Sequence, residues 1–152
     1  MEARLNHFKT APDATKLMVE MEKYIHQTNL EPDLLELVKV RASQINGCAF
    51  CLDMHWKDAR AQGETEQRLY GLDAWREADY YTEKERAGLA LTEAVTEIAT
   101  NHVSDELYEE VRNHFNEKDF TDLIFAINAI NNWNRLSIAM RTVPGRYQAS
   151  DS

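Results

Sequence analysis

The chain has 152 residues, the length of one domain with a sizeable core, and 43% of them are hydrophobic. Twenty-six acidic against 17 basic residues leave a formal charge of −9, which argues against nucleic acid or an anionic membrane as partner, because both reward clustered Lys and Arg. The opening MEARLNHFKT lacks the apolar stretch of a signal peptide and no run approaches a membrane-spanning length, so a cytoplasmic protein is expected.

Three prolines, five glycines and no sustained period-2 alternation predict an all-α fold, a single domain over residues 1–152 with about six to seven helices. The first helix runs from about Asp13 to His26, with Leu17, Met18, Met21 and Tyr24 at helical spacing, and the Met18, Met21 and Tyr24 stripe is expected in the core. The second begins at Pro32, suited to a first turn, and carries Leu34, Leu35, Leu37, Val38 and Val40. Asn46-Gly47 ends it as a left-handed cap. A third helix starts near Cys48 and runs to Gly63, with both cysteines in its first turn. From Glu64 to Tyr81 the pattern is broken around Gly71 and Trp75.

Thr82 to Glu85 reads as a capping box, opening an amphipathic helix that runs through Leu89, Leu91, Val95 and Ile98. Ser104 starts another, which ends near Asn116. The last helix, Thr121 to about Arg141, is apolar around much of its circumference, so it is central or covered by another subunit. Its Asn128, Asn131, Asn132 and Asn134 suggest a buried hydrogen-bond network or a subunit interface. After Val143-Pro144-Gly145 the chain reads as a loose tail.

The residues that carry chemistry are Cys48, Cys51 and His55, with Glu36 twelve positions ahead of the first cysteine. The chain has no other cysteine. At about 100° per residue, Cys48, Cys51 and His55 fall within roughly 60° of arc on one helix face. In a reducing cytosol a close pair of this kind is catalytic or metal-binding more often than a structural staple. Free N–H groups and the dipole at a helix start stabilise a thiolate, which favours Cys48. Cys51 lies four residues before His55, within reach of the imidazole, so the residues alone leave open which thiol attacks first. Either way the two sulfurs are close enough to bond. Glu36, on the preceding helix, is placed to orient His55 and pass protons; an exposed helix charge is the plainer alternative.

Glu36, eleven intervening residues, Cys48-x-x-Cys51, three residues and His55 together resemble the signature of alkylhydroperoxidase D-like proteins, which belong to the carboxymuconolactone decarboxylase family. The run Arg41 to Cys51 is similar to the family's core segment, and the matching stretch spans about Leu34 to Gly63. The resemblance implies an all-helical fold, homo-oligomers (trimers or hexamers) and reduction of hydroperoxides without an organic cofactor. It implies Cys51 as the peroxidatic thiol, Cys48 as the resolving thiol, and Glu36 and His55 as a proton relay. A lipoyl or thioredoxin-like dithiol protein would regenerate the pair. Phe50 departs from the pattern, since the best-studied form has a histidine immediately before the second cysteine. Phe50 and Trp56 are expected to line the pocket.

Other readings compete with this one. Cys48, Cys51, His55 and Glu36 are acceptable zinc ligands, although a structural site usually draws a second ligand pair from a separate loop. The family's decarboxylase branch does not call for a cysteine pair. A non-enzymatic redox sensor would use the same disulfide. His7, His26, His102 and His114 have no partner motif and are expected at the surface or at caps.

Overall fold

Residues 1–150, described by a computed structural model, fold into helices and turns alone. In chain order these are α1 (His7–Thr10), α2 (Pro12–His26), α3 (Pro32–Asn46), α4 (Ala49–Ala61), α5 (Glu66–Tyr70), a 3₁₀ helix (Leu72–Glu77), α6 (Glu83–Thr96), α7 (Ile98–Asn101), α8 (Asp105–Arg112) and α9 (Glu117–Met140). The all-α expectation holds, and no strand occurs among the described residues. The expected six to seven helices become ten helical segments there. The extra ones are pieces such as α1 and α7, four residues each, too short to display a 3.6-residue period.

Helix α3 is the hub, packed against α4, α6 and α9. Pro32 sits in its first turn, and Gly47 closes it at φ 67°, where a side chain would be strained. The turn is a Schellman motif, with Cys48 N donating to the Ser43 carbonyl and Gly47 N to that of Gln44. Leu34, Leu35 and Val38 pack with Leu91, Leu123 and Ile127, while Leu37 and Val40 pack elsewhere with Leu69, Leu72, Trp75 and Leu89. Covered by both clusters, α3 has no solvent face from Leu34 to Val40, so Glu36 and Lys39 are buried with their apolar neighbours.

Helix α9 holds the turn before the cysteines in place. Asn46 donates its side-chain amide to Oδ1 of both Asn131 and Asn134, each at 2.9 Å. Asn131 donates on to Thr96 Oγ1, and Asn134 to Ser43 Oγ. The expected network therefore exists for Asn131 and Asn134, whereas Asn128 and Asn132 are exposed. Every member has a partner, so burying these amides carries no unpaired-group penalty.

Several boundaries and faces differ from expectation. Helix α9 starts at Glu117, capped by Asn116 Oδ1 on Asp119 N, because a polar first turn hides the start of the apolar pattern. The helix opened by the Thr82 capping box stops at Thr96, and Ile98 belongs to the separate α7. Of the Met18, Met21 and Tyr24 stripe, Met21 and Tyr24 are exposed and Met18 is half-buried, and α2 buries Thr15 and Ile25 instead. The segment after α9 is anchored: Gly145 N donates to Asp53 Oδ2, Lys57 Nζ to the Tyr147 carbonyl, and Tyr147 Oη to Asp58 Oδ1 at 2.6 Å.

Candidate active site

Cys48 is the N-cap of α4, with backbone φ −85° and ψ 95°, and its sulfur accepts from Cys51 N. One turn of helix sets the two Cα atoms 5.4 Å apart, and the pair is joined as a disulfide. Both cysteines are buried, but they face different surroundings. Cys48 packs in a small apolar cluster with Ala42 and Ile130, whereas Cys51 also lines a cavity of about 770 Å³.

His55, one turn beyond Cys51, lines the same cavity. The Gly47 turn folds α4 back along α3, so His55 Nδ1 meets Glu36 Oε2 at 3.0 Å with both side chains buried. Burial opposes ionisation of Glu36. The hydrogen bond and charge of His55, with Lys39 and His26 behind them, outweigh it and hold the carboxyl below the usual carboxylate range. An Nδ1–H donated to a carboxylate leaves Nε2 of the neutral imidazole as the proton acceptor. The four residues expected at the site are thus together, and the plainer alternative of an exposed Glu36 is set aside.

The cavity also contains groups that the sequence pattern did not bring forward. Lys39 is 2% exposed, with Nζ 3.2 Å from Glu22 Oε2 and 3.8 Å from Glu36 Oε1. Asp58 and Tyr147 form one wall. Burial first, then the bond to Asp58 and the charges of Asp58 and Glu36, push the Tyr147 phenol up to about 12. His7 is not a surface residue: it is buried, lines the cavity, contacts Thr15 Oγ1 through Nδ1, and is lowered in pKa by burial. Phe50 lines the cavity as expected, but Trp56 packs in the cluster around Leu37. Residues 34–40 are apolar except for Glu36 and Lys39, three apart on one face, and that was the available signal for Lys39. Nothing local marks Tyr147, which arrives from 89 residues beyond Asp58.

As a metal centre the site is poorly supplied. The sulfurs are bonded to each other, so the donors that converge are Glu36, His55 and Asp58, with ligand atoms within 4.8 Å of one another. Lys39 already lies against Glu36 and Tyr147 donates to Asp58. A cation there would face an ammonium and compete for engaged oxygens. Chemically, the arrangement offers a dithiol–disulfide couple at the floor of a cavity with an acid–base pair beside it.

The model of the carboxymuconolactone decarboxylase family matches residues 12–94. The uncharacterized protein YdfG of Bacillus subtilis (strain 168) is 51% identical over 140 residues, covering 92% of this chain and 95% of its own. Among solved structures, ATU0492 from Agrobacterium tumefaciens is a protein of unknown function conjectured to be the antioxidant defence protein AhpD. It matches with a TM-score of 0.92 at 40% identity, over 96% of this chain and 100% of that one. A variant of the debrominase Bmp8, solved with 2,3,4-tribromopyrrole, shares the fold with a TM-score of 0.80 at 20% identity, over 90% of this chain and 73% of that one.

Proposed function

This chain belongs to the carboxymuconolactone decarboxylase family, and from that premise we propose that it is a thiol-dependent hydroperoxide reductase cycling Cys48 and Cys51 between dithiol and disulfide. The observation that carries the reading is the unequal placement of two bonded sulfurs, with Cys51 on the cavity beside a Glu36–His55 pair and Cys48 behind it.

In the reduced protein, Cys51 as thiolate attacks the distal oxygen of a hydroperoxide. The O–O bond breaks, the leaving alkoxide takes a proton from His55, and an alcohol departs, leaving a sulfenic acid on Cys51. Cys48 then attacks that sulfur, the S–O bond breaks, and the Cys48 proton passes by way of His55 to the departing hydroxide, so that water leaves as the disulfide forms. An external dithiol, lipoyl or thioredoxin-like, supplies two electrons by exchange and restores both thiols. His55 is the proton carrier and Glu36 orients it, while no organic cofactor or metal takes part. The apolar side chains of Leu5, Phe8, Phe50, Met54 and Trp133 give the cavity room for an organic hydroperoxide. The reading includes a cytoplasmic location, where dithiol donors are maintained. It also includes self-association into trimers or hexamers, supported by exposed Leu17, Met21 and Tyr24 on α2 and Phe125 and Ile138 on α9.

The test is turnover with a dithiol donor. Wild type is expected to consume many equivalents of an organic hydroperoxide per site, Cys51→Ser none, and Cys48→Ser one equivalent, with a sulfenic acid trapped on Cys51 by mass spectrometry. Full activity in Cys51→Ser reverses the thiol roles. Consumption that stops at one equivalent in wild type would instead indicate a redox sensor. Because a debrominase shares the fold, a halogenated pyrrole belongs in the same assay; its reduction in preference to hydroperoxide would replace the proposed reaction.

A further inference from the structure

The bonding of Glu36 extends beyond His55. One carboxylate oxygen, Oε2, meets His55 Nδ1, while the other, Oε1, lies 3.8 Å from the ammonium of Lys39. Lys39 is held from its other side by Glu22 Oε2 at 3.2 Å, and Glu22 in turn lies 3.8 Å from Nε2 of the exposed His26. The row His26–Glu22–Lys39–Glu36–His55 therefore runs from solvent to the ring beside Cys51, and all of these residues line the cavity. Its members come from α2, α3 and α4.

A lysine 2% exposed is uncommon, and a buried ion pair is rarely a gain over well-packed apolar side chains. Position 39 lies between Val38 and Val40 in a helix covered on every side, where methionine would fill the same space. Packing therefore does not account for the charge. Without it, Glu36 would lose the cation beside Oε1, and its ionised form would be less favoured.

We propose that Lys39 is a positioning residue for the cysteine pair: its buried ammonium fixes the charge and orientation of Glu36 against His55, and through them favours the thiolate form of reduced Cys51. This rests on the dithiol cycle proposed above. The sequence of effects is electrostatic. An ionised Glu36 stabilises imidazolium at His55, and imidazolium stabilises thiolate four residues away. Around Glu36 the charged and titratable groups are Glu22 and His26 from α2, Lys39 from α3, His55 and Asp58 from α4, and Tyr147 from the C-terminal segment. Among these, Lys39 is the one group whose nitrogen lies against both carboxylates, 3.2 Å from Glu22 and 3.8 Å from Glu36.

The experiment reads the thiol directly and needs no substrate. In full-length, dithiol-reduced protein carrying Cys48→Ser, the rate of Cys51 alkylation by iodoacetamide is followed against pH. Lys39→Met is expected to move the midpoint up by about one unit, a roughly tenfold loss of alkylation rate below the midpoint. Lys39→Gln, which keeps a polar group there, should move it in the same direction, and it serves if Lys39→Met does not fold by circular dichroism. In a Glu36→Gln background, Lys39→Met is expected to add no further shift. An unchanged midpoint in the Lys39 variants overturns the proposal. So does an undiminished shift in the Glu36→Gln background, which would mean that Lys39 acts on the sulfur without Glu36. Failure of wild type to turn over peroxide would remove the catalytic cycle but leave these midpoints measurable, so the two failures are distinguishable.

Discussion

Helix α3 carries two charge clusters two residues apart in sequence, one buried and one half-buried, and they have different consequences. At Arg41, the guanidinium Nε meets Glu93 Oε1 at 3.0 Å, Trp75 Nε1 meets the same oxygen at 2.9 Å, and Arg76 takes Oε2. Rigid planar donors saturate that carboxylate, and none of the four residues lines the large cavity. At Lys39 the donor is a compact ammonium 3.8 Å from Glu36, and the second oxygen of Glu36 is engaged by the His55 imidazole at 3.0 Å. Both clusters pair charges on one helix, so an ion pair does not by itself mark a site. The difference is access: none of the Arg41 cluster lines the cavity, and the other cluster opens onto the cavity that Cys51 lines.

The sharpest way to break this contrast is to remove the acid–base partners on the cavity side. Glu36→Gln and His55→Gln are each expected to lower peroxide turnover by about a hundredfold or more, the usual range for a general acid–base group, and to move the pH–rate profile upward. Steady-state rates with a dithiol donor check this. Equal losses from substitutions in the Glu93 cluster would make the two clusters equivalent and end the comparison.

The converse is a stability effect without a catalytic one. Glu93→Ala leaves the half-buried Arg41 and Trp75 Nε1 without their shared acceptor, a loss of about 1–3 kcal/mol. Urea unfolding should record that loss, while turnover per folded molecule stays at the wild-type level. A drop in turnover with an intact fold would mean that the Arg41 cluster communicates with the cavity.

Much of this was legible in the sequence where the signal is local. Gly47 as a left-handed stop, the Thr82–Glu85 capping box and the i, i+3, i+7 placement of Cys48, Cys51 and His55 each depend on neighbouring residues, and each stands in the structure as expected. Asn131 and Asn134 were suspicious because amides on an apolar helix need partners, and their partners exist. Periodicity cannot tell which apolar face will be covered, which is why Met21 and Tyr24 are expected inside and lie outside. Lys39 was hidden because lysine on a helix ordinarily reads as solvated. The segment after α9 looked loose since its anchors, Asp53, Lys57 and Asp58, are about 90 residues away.

The smallest expected effect concerns acid, and it sharpens the comparison because both carboxylates shift in the same direction. Burial opposes the ionisation of Glu36 and of Glu93. His55 and Lys39 reverse that for the first, and Arg76, Trp75 and Arg41 for the second, so both are held below the usual carboxylate range. A carboxyl whose folded pKa lies below its unfolded value, about 4.3 for Glu, contributes stability that is fully present above that value. The contribution is lost as pH falls through the folded pKa. Unfolding free energy should therefore be level near neutrality and decline as pH falls below about 4. Glu36→Gln and Glu93→Gln should each flatten that decline. The flattening is partial, because Glu20, Glu31, Asp53 and Glu106 are also held low. Urea titrations from neutral pH into the acid limb measure it. If the two variants flatten the curve alike while only Glu36→Gln loses turnover, the clusters share their electrostatics and differ in what the cavity does with them. A Glu36→Gln curve identical to wild type would mean that Glu36 titrates alike in the folded and unfolded chain, and the stabilisation of its anion by His55 and Lys39 would be overturned.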